Sequence, residues 1–164
     1  MLIESVVAEY FGTNCWVVAP ARNSECIIVD PGITAPSILA RVREVTNKFN
    51  LKPVAVILTH GHLDHMFSVV PVADGYGIPA MIHTRDRALI SNPMKALTPG
   101  GPSEQIIKQF GSSTFTEPAE VVEFRGNESV RMAGLSVEVR HAPGHTAGSA
   151  IFVVDSEYLI AGDV

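Results

Sequence analysis

The run Pro53-Val54-Ala55-Val56-Ile57-Leu58 ends directly in Thr59-His60-Gly61-His62-Leu63-Asp64-His65, and this junction constrains the fold more than any other stretch. An unbroken apolar run, with no polar alternation, predicts a central strand covered on both faces, so further layers must flank its sheet on each side. The segment that ends it gathers three histidines and an aspartate within positions 60–65. A single histidine there would read as an ordinary surface residue. Three around an aspartate are not accounted for by solvation alone. His60 and His62 stand two apart, so at the end of an extended strand their side chains point the same way. The chain must then turn into a helix, with Asp64 and His65 on that turn. Two imidazoles face one point, and the other two groups face a neighbouring one. Neutral imidazoles and a carboxylate are ligands for Zn, Fe or Mn, with no thiol required.

The surrounding pattern supplies the layers. MLIESVVAEYFG, CWVVAP and ECIIVDPG read as three short strands separated by turns at Gly12-Thr13-Asn14 and around Arg22-Asn23-Ser24. In TAPSILARVREVTNKFN the apolar residues Ile38, Val42, Val45 and Phe49 form one helical face, with Thr34 as the expected N-cap and Pro36 near the first turn. HMFSVVPVADGYG reads as a helix that Pro71 starts or kinks and the Gly75–Gly77 region ends. IPAMIHT predicts a strand, and RDRALI the start of a short helix. From Ser91 to Pro118, Pro, Gly, Ser and Thr predominate around a possible short helix, SEQIIKQF. That stretch is expected to be a mobile connection outside the core, either a plain linker or a lid on the substrate side. The remainder (VVEFRG, SVRMAG, LSVEVRHAP, SAIFVVD, EYLIAGDV) is β-rich, which predicts helices packed outside two sheets.

Composition narrows the function classes. The chain has 164 residues, 46% hydrophobic and 18% charged, which fits one globular domain with a substantial core. A formal net charge of −5 leaves no basic excess to neutralise phosphates, so no nucleic-acid partner is expected. The nearest basic cluster, Arg41, Arg43 and Lys48, reads as a solvated helix face. No apolar run approaches a bilayer span and the N-terminus lacks a signal-peptide pattern, so no membrane association is expected and the cytoplasm is the expected location. Cys15 and Cys26 lack C-x-x-C spacing; they could bridge neighbouring strands, but two buried free thiols is the reading that suits a cytoplasmic protein. G-x-S-x-G and P-loop patterns are absent.

Two further segments repeat the position type of the first motif. RHAPGHTAGSAIF carries His145 in a tight turn between strands, where Gly144 and Gly148 would permit unusual backbone angles. EYLIAGDV places Asp163 just past another strand. Together, T-H-G-H-L-D-H, A-P-G-H-T-A-G-S and A-G-D resemble the successive metal motifs of metallo-β-lactamase-fold hydrolases, and specifically the glyoxalase II-like (hydroxyacylglutathione hydrolase-like) branch. N-C-W-V-V and V-D-P-G fit the same pattern, so the resemblance spans essentially the whole sequence.

The resemblance implies an α/β (α+β) fold: a four-layer αββα sandwich, a single metallo-β-lactamase-like domain over residues 1–164. It implies one metal held by His60, His62 and His145, and a second held by Asp64 and His65, with Asp163 bridging both. Asp30 would steady the metal loop from outside the ligand shell, or is a simple turn carboxylate. His83 and His141 match no ligand position, although His141 could line the cleft. The family carries one more histidine, a ligand of the second metal, beyond the G-D strand. The sequence stops at Val164, so it reads as truncated at its C-terminus, with the second site short of a ligand. Zn, as one or two ions, is the expected metal, with Fe or Mn compatible. The implied activity is hydrolysis of a small-molecule thioester by a metal-activated water, with Asp64 orienting that water and accepting its proton. Alternatives sharing the motif are a non-haem iron persulfide dioxygenase using His60, His145 and Asp163, and other hydrolases such as lactonases. From another class stands an inactive metal-binding fragment.

Overall fold

The computed structural model describes residues 1–34, 37–97, 99–110 and 115–164. Among the described residues, ten strands form two sheets. The first is six-stranded and keeps chain order: β1 (Leu2–Val7), β2 (Asn14–Ala19), β3 (Glu25–Val29), β4 (Lys52–Ile57), β5 (Ala80–His83) and β6 (Val121–Phe124). β1, β2 and β3 pair antiparallel, whereas β3 to β6 run parallel. The second sheet is an antiparallel meander of β7 (Glu128–Met132), β8 (Leu135–His141), β9 (Ala150–Val154) and β10 (Tyr158–Ile160), ordered β10-β9-β8-β7.

The unbroken apolar run of β4 is explained by what covers it. Val56 and Leu58 pack with Val42, Phe49, Val69 and Val72 from α1 (Leu39–Phe49) and α3 (Val69–Tyr76) on one face. Ala55 and Ile57 pack on the other face with Val137, Val139, Phe152 and Val154 of the second sheet. Ile27 and Val29 of β3 join that inter-sheet core, while Cys26 and Ile28 face the helices. Each strand therefore buries both faces, as a central parallel strand must. On β8 the inward residues Leu135, Val137 and Val139 alternate with Ser136, Glu138 and Arg140, so the second sheet has one apolar face. Helix, sheet and sheet are thus stacked in the order the four-layer sandwich requires. Cys15 and Cys26 are free and fully buried, so the inter-strand bridge does not form. Burial raises both thiols, Cys26 to about 12.

Three local expectations are corrected. Thr34 does not cap α1, which starts after Ile38 without a side-chain cap. Its buried hydroxyl instead accepts the Glu9 N–H at 3.2 Å, tying the β1–β2 connection to the loop after β3. Pro36 lies outside the described residues. The helix expected after the histidine motif is two helices, α2 (Leu63–Met66) and α3, interrupted where the Ser68 hydroxyl donates to Gly32 O at 2.7 Å. Pro71 sits in the first turn of α3, and Gly77 ends it in a left-handed conformation at φ +66°. Arg41 is not simply solvated, since its guanidinium donates to Val7 O at 2.6 Å.

Between β5 and β6 lie a 3₁₀ turn (Thr84–Asp86), α4 (Arg87–Ser91), a second 3₁₀ turn (Pro93–Ala96) and α5 (Pro102–Phe110). Residues 98 and 111–114 of the expected connection lie outside the described residues. α5 is more than a linker, because Ile107 is buried with Ile33 and Leu63 in a third cluster beside the histidine motif. The parallel strands β3, β4 and β5 all end at one sheet edge. Asp30, the 59–65 segment and the Thr84–Asp86 turn therefore emerge side by side.

Candidate metal centre

The loops leaving β4, the turn between β8 and β9, and the segment after β10 converge at that edge. His60, His62 and His145 each offer a ligand atom within 4.8 Å of the others, and so do His60, His65 and Asp163. His60 belongs to both groups and stands between them. In the first group, His62 Nδ1 and His145 Nε2 face each other at 2.8 Å. In the second, His65 Nε2 lies 3.1 Å from Asp163 Oδ1 and 3.6 Å from Asp64 Oδ2. The other Asp163 oxygen is 3.6 Å from His145 Nε2, so this carboxylate reaches both halves.

Ring protonation follows from the hydrogen bonds. The Thr59 hydroxyl has one proton and gives it to Asp30 Oδ2 at 2.6 Å. Towards His60 Nδ1, 3.1 Å away, it can then only accept, so His60 carries its proton on Nδ1. The lone pair of His60 Nε2 is left pointing into the cluster, and that atom is buried without a hydrogen-bond partner. An orphaned buried imidazole nitrogen is costly unless something coordinates it, which is the test a metal site should pass. His65 is oriented in the same manner: its Nδ1 donates to Asp30 Oδ2 at 2.9 Å, turning Nε2 towards Asp64 and Asp163.

Asp30 is therefore no simple turn carboxylate. It is 2% exposed, accepts the Thr59 N–H at 2.8 Å through Oδ1, and serves Thr59 and His65 through Oδ2. It reaches these partners from a left-handed backbone, φ +50°, unusual for a residue with a Cβ. Gly162, before Asp163, also has positive φ (+59°), and a Cβ there would sit 2.5 Å from Thr59 Oγ1. Only glycine lets the Asp163 segment pass that close.

The two halves differ electrostatically. Burial, reinforced by the neighbouring imidazoles His65, His62 and His145, lowers the pKa of His60 to about 2. Burial and then His145 lower that of His62. Burial also acts to lower His65, but its hydrogen bond to Asp30 and the charges of Asp30, Asp64 and Asp163 outweigh this and raise it.

Sequence reading missed Asp86. It is 1% exposed and accepts the Gly61 N–H at 2.8 Å and the Thr146 hydroxyl at 2.6 Å through Oδ2, with the Gly148 N–H at 2.7 Å on Oδ1. Nothing in the local pattern of HTRDRALI marks it. The available signal was its place just past β5, at the edge shared with Asp30 and His60. The expected reason for the glycines at 144 and 148 is also corrected. Neither has positive φ; Gly148 is needed because a Cβ would lie 2.6 Å from Asp86 Cγ, while Gly144 faces open space. His83 and His141 stay outside both groups, and their rings stack at 4.0 Å. His141 Nε2 lies 2.9 Å from Ala147 O, so it braces the turn that bears His145.

Residues 9–164 match the Metallo-beta-lactamase superfamily. The chain belongs to that superfamily. A relative, an uncharacterized protein of Mycobacterium tuberculosis, is 36% identical over 170 residues, covering 99% of this chain and 72% of the relative. Hydroxyacylglutathione hydrolase GloC of Haemophilus influenzae is 28% identical over 167 residues, covering 100% of this chain and 72% of its own length. Among solved structures of similar fold, TTHA1623 in a di-iron-bound form superposes with a TM-score of 0.71 at 22% identity, over 98% of this chain and 72% of that one. The superfamily is generally one of metallo-hydrolases, and the histidine cluster gathers ligand atoms that could hold a metal ion.

Proposed function

We propose that this chain is a metal-dependent hydrolase of thioesters of small thiols, of the hydroxyacylglutathione hydrolase type. The observation that carries the metal reading is His60 Nε2, a lone pair buried without a partner among ligand atoms of His62, His145, His65 and Asp163. The similarity to GloC supports the substrate class. His60, His62 and His145 would hold one ion; Asp64 and His65 would hold a second, with Asp163 spanning both. Zn fits this N/O donor set, as do Fe and Mn. A bound divalent ion supplies a water acidified towards neutrality and polarises the thioester carbonyl.

The chain's own residues supply the rest. Asp64, whose Oδ2 is 3.6 Å from His65 Nε2, orients the attacking water and takes its proton. Asp30 fixes the Nδ1–H tautomer of His65, and through Thr59 that of His60, so both rings present Nε2 to the cluster. The thiolate leaves readily, so no strong general acid is required. The unpaired thiols support a cytoplasmic location. No described helix is long and apolar enough to cross a membrane.

The test is metal analysis of the purified protein paired with hydrolysis of a panel of acyl-thiols, beginning with acyl-glutathiones. Metal-dependent release of free thiol is expected. The second reading is a mononuclear iron-dependent persulfide dioxygenase, for which His60, His145 and Asp163 offer the two imidazoles and one carboxylate that suit non-haem Fe. Oxygen uptake with glutathione persulfide, without thioester cleavage, would replace the hydrolase by that reading.

A further inference from the structure

We propose that Asp86 is the positioning residue that holds the two histidine-bearing loops in register, joining Gly61 of the first to Thr146 and Gly148 of the second so that His62 and His145 meet beside His60. The loops come from different sheets: one leaves β4, the other connects β8 to β9. One backbone bond already joins them, Ala150 N–H to Thr59 O at 2.8 Å, but it lies at the roots of the loops and not beside the imidazoles. Asp86 acts nearer the rings. It takes the N–H immediately before His62 at 2.8 Å, the hydroxyl immediately after His145 at 2.6 Å, and the Gly148 N–H at 2.7 Å.

The chemistry suits a carboxylate and nothing else. All three partners are donors and the site is 1% exposed, so the group must accept three times and donate never. An amide would turn its NH₂ against one of these donors, leaving a buried N–H unsatisfied. The second loop is completed from within: Thr146 gives its proton to Asp86, so its oxygen accepts from the Ser149 hydroxyl at 2.9 Å, while Ser149 Oγ accepts the Thr146 N–H at 2.9 Å. Two glycines make room for the clamp. A Cβ on Gly148 would meet Asp86 at 2.6 Å, and one on Gly61 would meet the Leu89 side chain of α4 at 2.7 Å. The clamp bears on function only if the histidine cluster binds metal, and so rests on that reading.

The test uses the full chain with Co²⁺ and Zn²⁺ alone, comparing wild type, Asp86→Asn, Thr146→Val and Thr146→Ser. Ion affinity is read by chelator competition, ligand geometry by Co²⁺ visible absorption, and the loops by amide hydrogen exchange in metal-free protein. Asp86→Asn is expected to weaken the tighter ion on the order of 10- to 100-fold, the range typical of partners that orient metal ligands. It should also alter the Co²⁺ band and speed exchange at Gly61 and Gly148 while β4 and β9 stay protected. Thr146→Val should lose affinity, and Thr146→Ser should recover it. Wild type that takes up ion, together with an Asp86→Asn variant of equal affinity and unchanged Co²⁺ spectrum, overturns this role alone. Faster exchange throughout the sheets with unchanged ion affinity also overturns it, as a purely structural role. Wild type that takes up neither ion overturns both this role and the metal reading. Should Asp86→Asn fail to fold, equal affinities for Thr146→Val and Thr146→Ser overturn it.

Discussion

The two halves of the cluster share His60 but are built on opposite principles. On the His62–His145 side, imidazoles crowd together, and burial reinforced by the neighbouring rings lowers the pKa of His60 and His62. On the His65 side, Asp30, Asp64 and Asp163 surround one imidazole and favour its charged form. One half offers a cation lone pairs; the other offers it negative charge. On the proposed metal reading, affinity in the first half would depend on holding rings in place against repulsion, whereas in the second it would depend on carboxylates.

Four experiments break or sharpen this contrast. The largest effect is expected from His60→Ala, because His60 serves both halves: ion uptake per chain, measured by elemental analysis after dialysis, should fall more than about 100-fold, beyond what outer partners command. Retention of one tightly held ion would show that the halves do not share a centre. Next come His62→Ala and His65→Ala, each expected to weaken one step of a two-step Co²⁺ titration by at least about tenfold. Identical titration curves for the two variants would dissolve the distinction.

A smaller effect belongs to Thr59→Val. It removes the hydroxyl between Asp30 and His60, at about 1–3 kcal/mol for the buried groups left unpaired, read from urea unfolding of metal-free protein. A loss near zero would mean that Thr59 does not link the halves. The smallest effect is in pH. His60 and His62 are lowered from 6.5, so the unfolded chain binds their protons more readily, and they destabilise metal-free protein as pH falls below about 6.5. His65 is raised, so its contribution is complete below 6.5 and disappears as pH rises through its folded value. Acidification from about pH 7.5 to about pH 5.5 should therefore lower the urea midpoint more steeply in His65→Ala than in wild type, and less steeply in His60→Ala. The reverse order would invert the electrostatic assignment.

Much of this arrangement was legible in the sequence, for a physical reason. His60, His62, His145 and Asp163 lie in the loops that follow strands, and Asp64 and His65 in the short helix α2 directly after the first of these loops. Strand ends are marked by local pattern. The layering was legible too, because β4 is apolar throughout while β8 alternates. What escaped were features that exist only after strands are set beside one another. Asp86 is an isolated acid in a helical-looking stretch until β5 lands next to β4. Thr34 looks like a helix cap until the β1–β2 connection arrives to claim its hydroxyl. Gly148 reads as a turn glycine, though what it provides is room for another residue's carboxylate.

The left-handed backbone of Asp30 has a consequence for anyone re-engineering this scaffold. A redesign guided by conformational comfort would install glycine at position 30, relieving on the order of 1 kcal/mol of strain. The same change would delete the anchor from which Thr59, His60 and His65 take their orientation. The strain relieved is therefore smaller than what is lost, since the Thr59 N–H, the Thr59 hydroxyl and His65 Nδ1 would all be left buried without their acceptor.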